Sequence, residues 1–404
     1  VTAVDAHPAP AVSDRQIVCV GFNDWGAEVW TNQHHLMACL AAANRVLFVE
    51  SLGLRRPTLA GRDLTRMARR LRRGLAGPRR VELPDHRGAL HVLSPLVLPA
   101  HSSVLAQRVN RFLLPRLVGR AAATLGTSDP ILWSYVPQAE VLLDRLRPAL
   151  LVYHCVDDIA AHPRIDTASF RAAERRFAKR ADLVLTSSAP LTERMAQLSD
   201  NVHYLPNVAD TDLFATARED GPVDPVVAAL PEPRIIFTGA IVSTKLDVAL
   251  ITALARRRPD WSIVLVGPVG LGDPLTDASA LTEAHNVHLL PTRLHRELPA
   301  VLRGARAAII PYLLNDLTAS IFPMKVYEYL AAGLPTVATR LPSLIGTEGI
   351  TFASDAAGFD HALEDAMAQD GPQARVQRAQ LAAGHSWDDR LAEIGELVEA
   401  ASVR

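Results

Sequence analysis

The sequence predicts an α/β protein made of two Rossmann-like domains, and three observations predict it. Short apolar runs alternate with helical stretches along the chain, the pattern of parallel sheets with crossover helices. The 404 residues, 49% of them hydrophobic, are too many for one ordinary core and enough for two. A stretch rich in Asp, Pro and small residues, 210–232, breaks the alternation near mid-chain.

The first domain, 14–209, is expected to hold strands at 17–20, 46–49, 90–93, 131–134, 150–153, 183–186 and 202–205. Most are runs of β-branched, leucine or aromatic residues bounded by polar or turn positions. The second domain, 233–384, is expected to hold strands at 235–238, 263–266, 287–290, 307–310 and 336–338. Between them, Glu219-Asp220-Gly221-Pro222-Val223-Asp224-Pro225 and Pro231-Glu232-Pro233 are breaker sequences, so 210–232 reads as a linker. A last helix is expected within 385–404, and 1–13, without the basic and apolar regions of a signal peptide, reads as a disordered leader.

Composition narrows the function. A formal net charge of −1 creates no overall field for nucleic acid. Cys19, Cys39 and Cys155 are odd in number and lack metal-ligand spacing, which fits a reduced, cytoplasmic compartment. No apolar run is long enough to cross a bilayer. One local charge run stands out: from Arg55 to Arg80 there are ten arginines and a single acid, Asp63. Leu64, Met67, Ala68, Leu71 and Leu75 fall at helical spacing within it, so this stretch reads as a basic amphipathic helix for an anionic membrane surface, a solvated face, or an acceptor-phosphate site.

The most informative chemistry lies at 322–335. Pro323 fits the start of a helix, Gly333 its left-handed end, and Pro335 prevents continuation. Met324 and Lys325 then sit in the first turn, with Glu328 on the same face three residues later. Unpaired N–H groups, the helix dipole and a lysine suit a diphosphate, and a carboxylate one turn deeper can accept hydrogen bonds from a ribose diol. The alternative is an ordinary exposed Lys–Glu pair. The polar segment 315–320, ending at Ser320, follows an apolar strand that runs into Pro311-Tyr312. A loop at the carboxyl end of a parallel strand is where open α/β sheets bind ligands. Two further strand-to-glycine turns, at Gly239 and Gly267, allow close backbone approach, and Lys245 offers a point charge for phosphate. Tyr312 could stack on a base or simply pack. Neither glycine turn has the dinucleotide or P-loop spacing.

In the first domain, the apolar strand at 150–153 releases His154, Asp157 and Asp158 at its carboxyl end. Adjacent carboxylates raise one another's pKa, which suits proton abstraction; Asp157 is the candidate base and Asp158 its partner or substitute, or a helix N-cap. Asn23, Asp24 and Trp25, in the loop after the first strand, and His34, on the following helix, are candidate acceptor contacts, with Asp24 and His34 also runner-up bases. Paired histidines at adjacent helical positions diverge and make a poor metal site.

The Pro323-Met324-Lys325 helix start, Tyr327-Glu328-Tyr329-Leu330-Ala331, Gly333 and Pro335, with Pro311-Tyr312, Phe237-Thr238-Gly239-Ala240 and Lys245, resemble GT-B glycosyltransferases. The likeness is greatest to bacterial family-4-like enzymes and to teichuronic-acid and xanthan-type glucuronosyltransferases. The resemblance implies two facing Rossmann-like domains with a cleft between them, and a nucleotide-sugar donor, UDP-sugar favoured. It implies transfer to a glycan, lipid-linked or small-molecule acceptor, as in polysaccharide or antibiotic biosynthesis, with no metal or other cofactor. It favours a first-domain aspartate as base and a final helix that returns to the first domain. Family-4 enzymes carry two glutamates separated by seven residues; Glu328 matches the second, and Ser320 stands at the first. A sugar-nucleotide 2-epimerase and a non-catalytic nucleotide-binding relative remain the competing expectations.

Overall fold

A computed structural model describes residues 12–52, 77–83, 88–95, 97, 104–273 and 275–403. The chain divides into two compact units, Val1–Leu205 with Arg390–Arg404, and Pro206–Asp389.

The first unit is built on strands β1 (Gln16–Val20), β2 (Arg45–Val49), β3 (Arg79–Glu82), β4 (Ala89–Leu93), β5 (Ile131–Ser134), β6 (Leu150–Cys155), β7 (Leu183–Thr186) and β8 (Val202–Tyr204). Their order in the sheet is β3-β4-β2-β1-β5-β6-β7-β8. Only β3 runs antiparallel to its neighbour among these pairs. The central strands are buried on both faces, as β-branched and leucine runs in a parallel sheet must be. Val20 pairs with Ser134, Ser134 with Tyr153, and Cys155 with Thr186, so the loops leaving β1, β5, β6 and β7 emerge side by side.

The second unit holds β9 (Arg234–Thr238), β10 (Ser262–Val266), β11 (Val287–Leu290), β12 (Ala307–Ile310), β13 (Thr336–Thr339) and β14 (Ile350–Ala353). The order is β11-β10-β9-β12-β13-β14, all parallel. Val266 lies beside Thr238, which brings the glycines after β9 and β10 together.

Several expectations change. β3 and β14 were absent from the sequence reading. Residues 210–232 are not a bare linker: helical turns span Thr211–Ala215, Thr216–Arg218 and Pro225–Ala228. The residues that look like breakers are the helix starts, with Asp210 and Asp224 as N-caps and Pro225 in the first turn. Of the expected leader, 1–11 lie outside the described residues, while Val12 is buried and its carbonyl accepts from Asn44. Of the arginine-rich stretch, 55–76 lie outside the described residues. Its last two arginines belong to β3, where Arg79 faces the buried Glu50 and Arg80 pairs with Glu82. The final helix runs Trp387–Ser402. All three cysteines are free and buried. Among the described residues, no helix is long and apolar enough to cross a membrane.

Candidate functional site

In the second unit the helix spans Lys325–Ala331, two turns, with Met324 as its N-cap. Gly333 takes φ 73°, and its N–H and that of Leu334 donate to Leu330 and Tyr329, closing the helix as its sequence requires. The helix is tied down along its C-terminal half. Tyr329 Oη accepts from the N–H of Thr238 at the end of β9 (2.9 Å). Arg218 donates to the carbonyl of Ala331 and Arg378 to that of Gly333, supplying partners for orphan C-terminal carbonyls. Arg378, Arg306 and Arg375 converge on Asp370, whose side chain is fully buried.

Lys325 reaches from this helix to the β9 turn. Gly239 has φ 129°, and a Cβ placed there would stand 2.7 Å from Lys325 Nζ. The ammonium lies 5.4 Å from the Phe237 ring centroid and forms no ion pair among the described residues. Gly267, at φ 149°, packs onto the same turn, where a Cβ would fall 2.1 Å from the Gly239 carbonyl oxygen. Only glycine fits at either position. The two glycine turns and Lys325 therefore form one assembly.

Glu328 is 9% exposed, and its carboxylate accepts no hydrogen bond among the described residues. Burial raises its pKa above the ordinary carboxyl range, and the charges of Lys325 and His295 pull it part of the way back. It is thus not half of an exposed Lys–Glu pair. A carboxyl group whose pKa is raised by burial, beside a lysine, is a functional-site candidate. His295, packed edge-on to Phe214, is a neighbour that sequence reasoning did not find.

The remaining donor candidates lie in the same unit. Lys245 sits in a loop whose next residue, Leu246, bridges to Tyr312, and the Lys245 carbonyl accepts from Leu313. Tyr312 is buried and packs edge-on to Phe237, the packing alternative for this aromatic. Ser320 is buried in the 3-10 turn Thr318–Ser320, which Asn315 and Thr318 fix by exchanging backbone-to-side-chain bonds.

In the first unit, Asp158 and Asp157 part company. Asp158 stands at the N-cap of the turn Ile159–Ala161 but makes no side-chain cap bond. Its carboxylate instead pairs with Arg171, with Arg194 at 3.9 Å. Both arginines also bind the buried Glu174, which accepts from Tyr153 Oη (2.8 Å). Asp158 belongs to this network, and Asp157 is half-buried just beyond the end of β6. His154 is wholly buried between Trp133 and Tyr135, and burial with the Arg390 charge lowers its pKa to about 3.

The loop after β1 is organised from within. Gly21 is required because a Cβ would meet Phe48 at 2.6 Å and Gln33 at 2.8 Å. The N–H of Thr31 donates to His34 Nδ1 (3.1 Å), so Nε2 carries the proton and donates to the Asp24 carbonyl (3.0 Å). Burial lowers the His34 pKa to about 4, keeping the ring neutral. Trp25 is buried against Trp30, His34 and Phe48. His34 and Trp25 therefore support the loop, while Asn23 and Asp24 are its half-buried members.

Comparison with known proteins fits this architecture. Residues 232–369 match the family described as glycosyl transferases group 1. A Bacillus subtilis (strain 168) protein named for glycosyl transfer in teichuronic acid biosynthesis is 29% identical over 177 residues, 43% of this chain. The match spans 44% of that relative, less than half its length. Among solved structures, sucrose-phosphate synthase from Thermosynechococcus elongatus is similar at TM-score 0.65 and 17% identity, covering 96% of this chain and 98% of that one. HepE of Anabaena, solved with UDP-glucose, is similar at TM-score 0.66 and 15% identity, covering 96% and 100%. At such identities the likeness is one of fold, and the fold is GT-B.

Proposed function

We propose, from the premise that residues 232–369 form a glycosyl transferases group 1 domain, that the protein is a nucleotide-sugar-dependent glycosyltransferase. The observation that carries this reading is the Lys325 ammonium lying on the Gly239 turn with the largely buried Glu328 one turn away. Lys325, Lys245 and the two glycine turns hold the donor diphosphate, and Glu328 accepts from the ribose hydroxyls. A UDP-sugar is the favoured donor, in keeping with the UDP-glucose bound by HepE. Stabilising the departing diphosphate is the main catalytic contribution, with no metal or cofactor required. Asp157 takes the proton of the acceptor hydroxyl, and Asn23 and Asp24 contact the acceptor. That acceptor is a glycan, lipid-linked or small-molecule alcohol, and the protein works at the cytoplasmic face of a membrane.

The test is nucleotide release from a panel of nucleotide-sugars with and without acceptor alcohols, in the presence of a chelator. Release that depends on acceptor supports the transferase reading. Conversion of donor alone to a sugar epimer would make the protein an epimerase, and nucleotide binding without any turnover would make it a non-catalytic relative.

A further inference from the structure

The Val104–Thr124 helix of the first unit carries Arg108, Arg111, Arg116 and Arg120 and no acidic residue. One side is core, with Leu114, Val118, Ala121 and Ala122 buried in the unit's main apolar cluster. The other side exposes Arg108, Arg116 and Arg120; Arg111, exposed as well, lies on the stripe of Leu114 and Val118. Between them it exposes Phe112 (57%) and Leu113 (39%). None of these arginines makes an ion pair among the described residues. Arg116 instead lies over the Phe112 ring, 3.5 Å from its centroid, and donates to the Phe112 carbonyl (2.8 Å). Scattered exposed apolar side chains are ordinary. An adjacent pair flanked by cations without an ion pair among the described residues, on a helix with no acid, is a different surface.

We propose that this face docks on a bilayer of anionic phospholipid. Arg108, Arg116 and Arg120, without an ion pair among the described residues, select phosphodiester headgroups, and Phe112 with Leu113 supplies the apolar contact at headgroup depth. Nucleic acid fits less well, because the guanidinium covering Phe112 occupies the face that a base would stack on. The inference gives the membrane location proposed above a surface, and its test reads vesicle binding rather than turnover, so it stands or falls apart from the transferase reading.

The experiment is co-sedimentation of the full chain with vesicles of phosphatidylcholine alone and of phosphatidylcholine mixed with phosphatidylglycerol. Wild-type protein is expected to bind only the anionic vesicles, and less as salt rises. The double variant Arg116→Glu, Arg120→Glu is expected to lose affinity by about tenfold or more. A second variant, Phe112→Ser, is expected to weaken binding with every charge retained. All the changed side chains are exposed, and equal melting temperatures confirm that the variants fold. Wild-type protein that ignores anionic vesicles overturns the proposal. So does undiminished binding by the double variant, in which the arginine-rich residues 55–76 are untouched.

Discussion

Lys325 and Gly239 are mutually dependent: the lysine Nζ occupies space that any side chain at Gly239 would need, 2.7 Å from where its Cβ would stand. A glycine turn and a helix lysine, 86 residues apart in the sequence, are thus parts of one cationic floor.

Gly239→Ala is therefore expected to act twice. The backbone at φ 129° disfavours an L side chain, at a cost of about 1–3 kcal/mol, and the new methyl group displaces the lysine. Thermal melting should show a lower Tm, and nucleotide titration a weaker affinity than the stability loss accounts for.

Glu328→Gln should separate stability from function. The neutral amide is expected to bind ribose hydroxyls less well and raise donor KM, with Tm changed little. A lower Tm, with KM unchanged, would mark Glu328 as a structural residue.

The two neighbouring aspartates should behave differently. Asp158→Asn breaks an ion network around the buried Glu174, so its main effect is a lower Tm. Asp157→Asn is expected to leave donor affinity in place and lower kcat by about a hundredfold or more, the usual contribution of a general base. Equal kcat losses without destabilisation in both would contradict this division.

How much of this was legible beforehand depended on the distance over which residues had to be paired. The core strands are continuous apolar runs and were visible as such. β3 escaped because Arg79-Arg80-Val81-Glu82 has one apolar residue and is half-exposed, and β14 because it is a short, partly exposed edge strand. The helix at Lys325–Ala331 announced itself through its own proline and glycine signals. By contrast, the Asp158–Arg171 pair spans 13 residues and the Asp370–Arg306 pair 64, separations that local periodicity cannot join. The GT-B resemblance offers His34 as an acceptor contact or base; the bonds that take up both its nitrogens are set by how the loop folds back.

Acid should weaken the first unit. His34 and His154 have pKa values lowered by burial to about 4 and about 3, below the ordinary 6.5. Each is neutral when folded and takes up a proton on unfolding below pH 6.5, so stability is complete above that pH and declines as pH falls toward 4 and 3. The expected slope is about 1.4 kcal/mol per pH unit for each histidine. Denaturant melts between pH 7 and 4 check this, and His154→Phe should flatten the decline.

The most direct test of the central claim is calorimetric titration of UDP into wild-type protein and Lys325→Ala. The account predicts saturable binding by the wild type and about a ten- to hundredfold loss in the variant, as expected for a charge-assisted contact. Equal affinity in the two proteins, or no binding by either, would contradict the assignment of a donor site to Lys325 and Glu328.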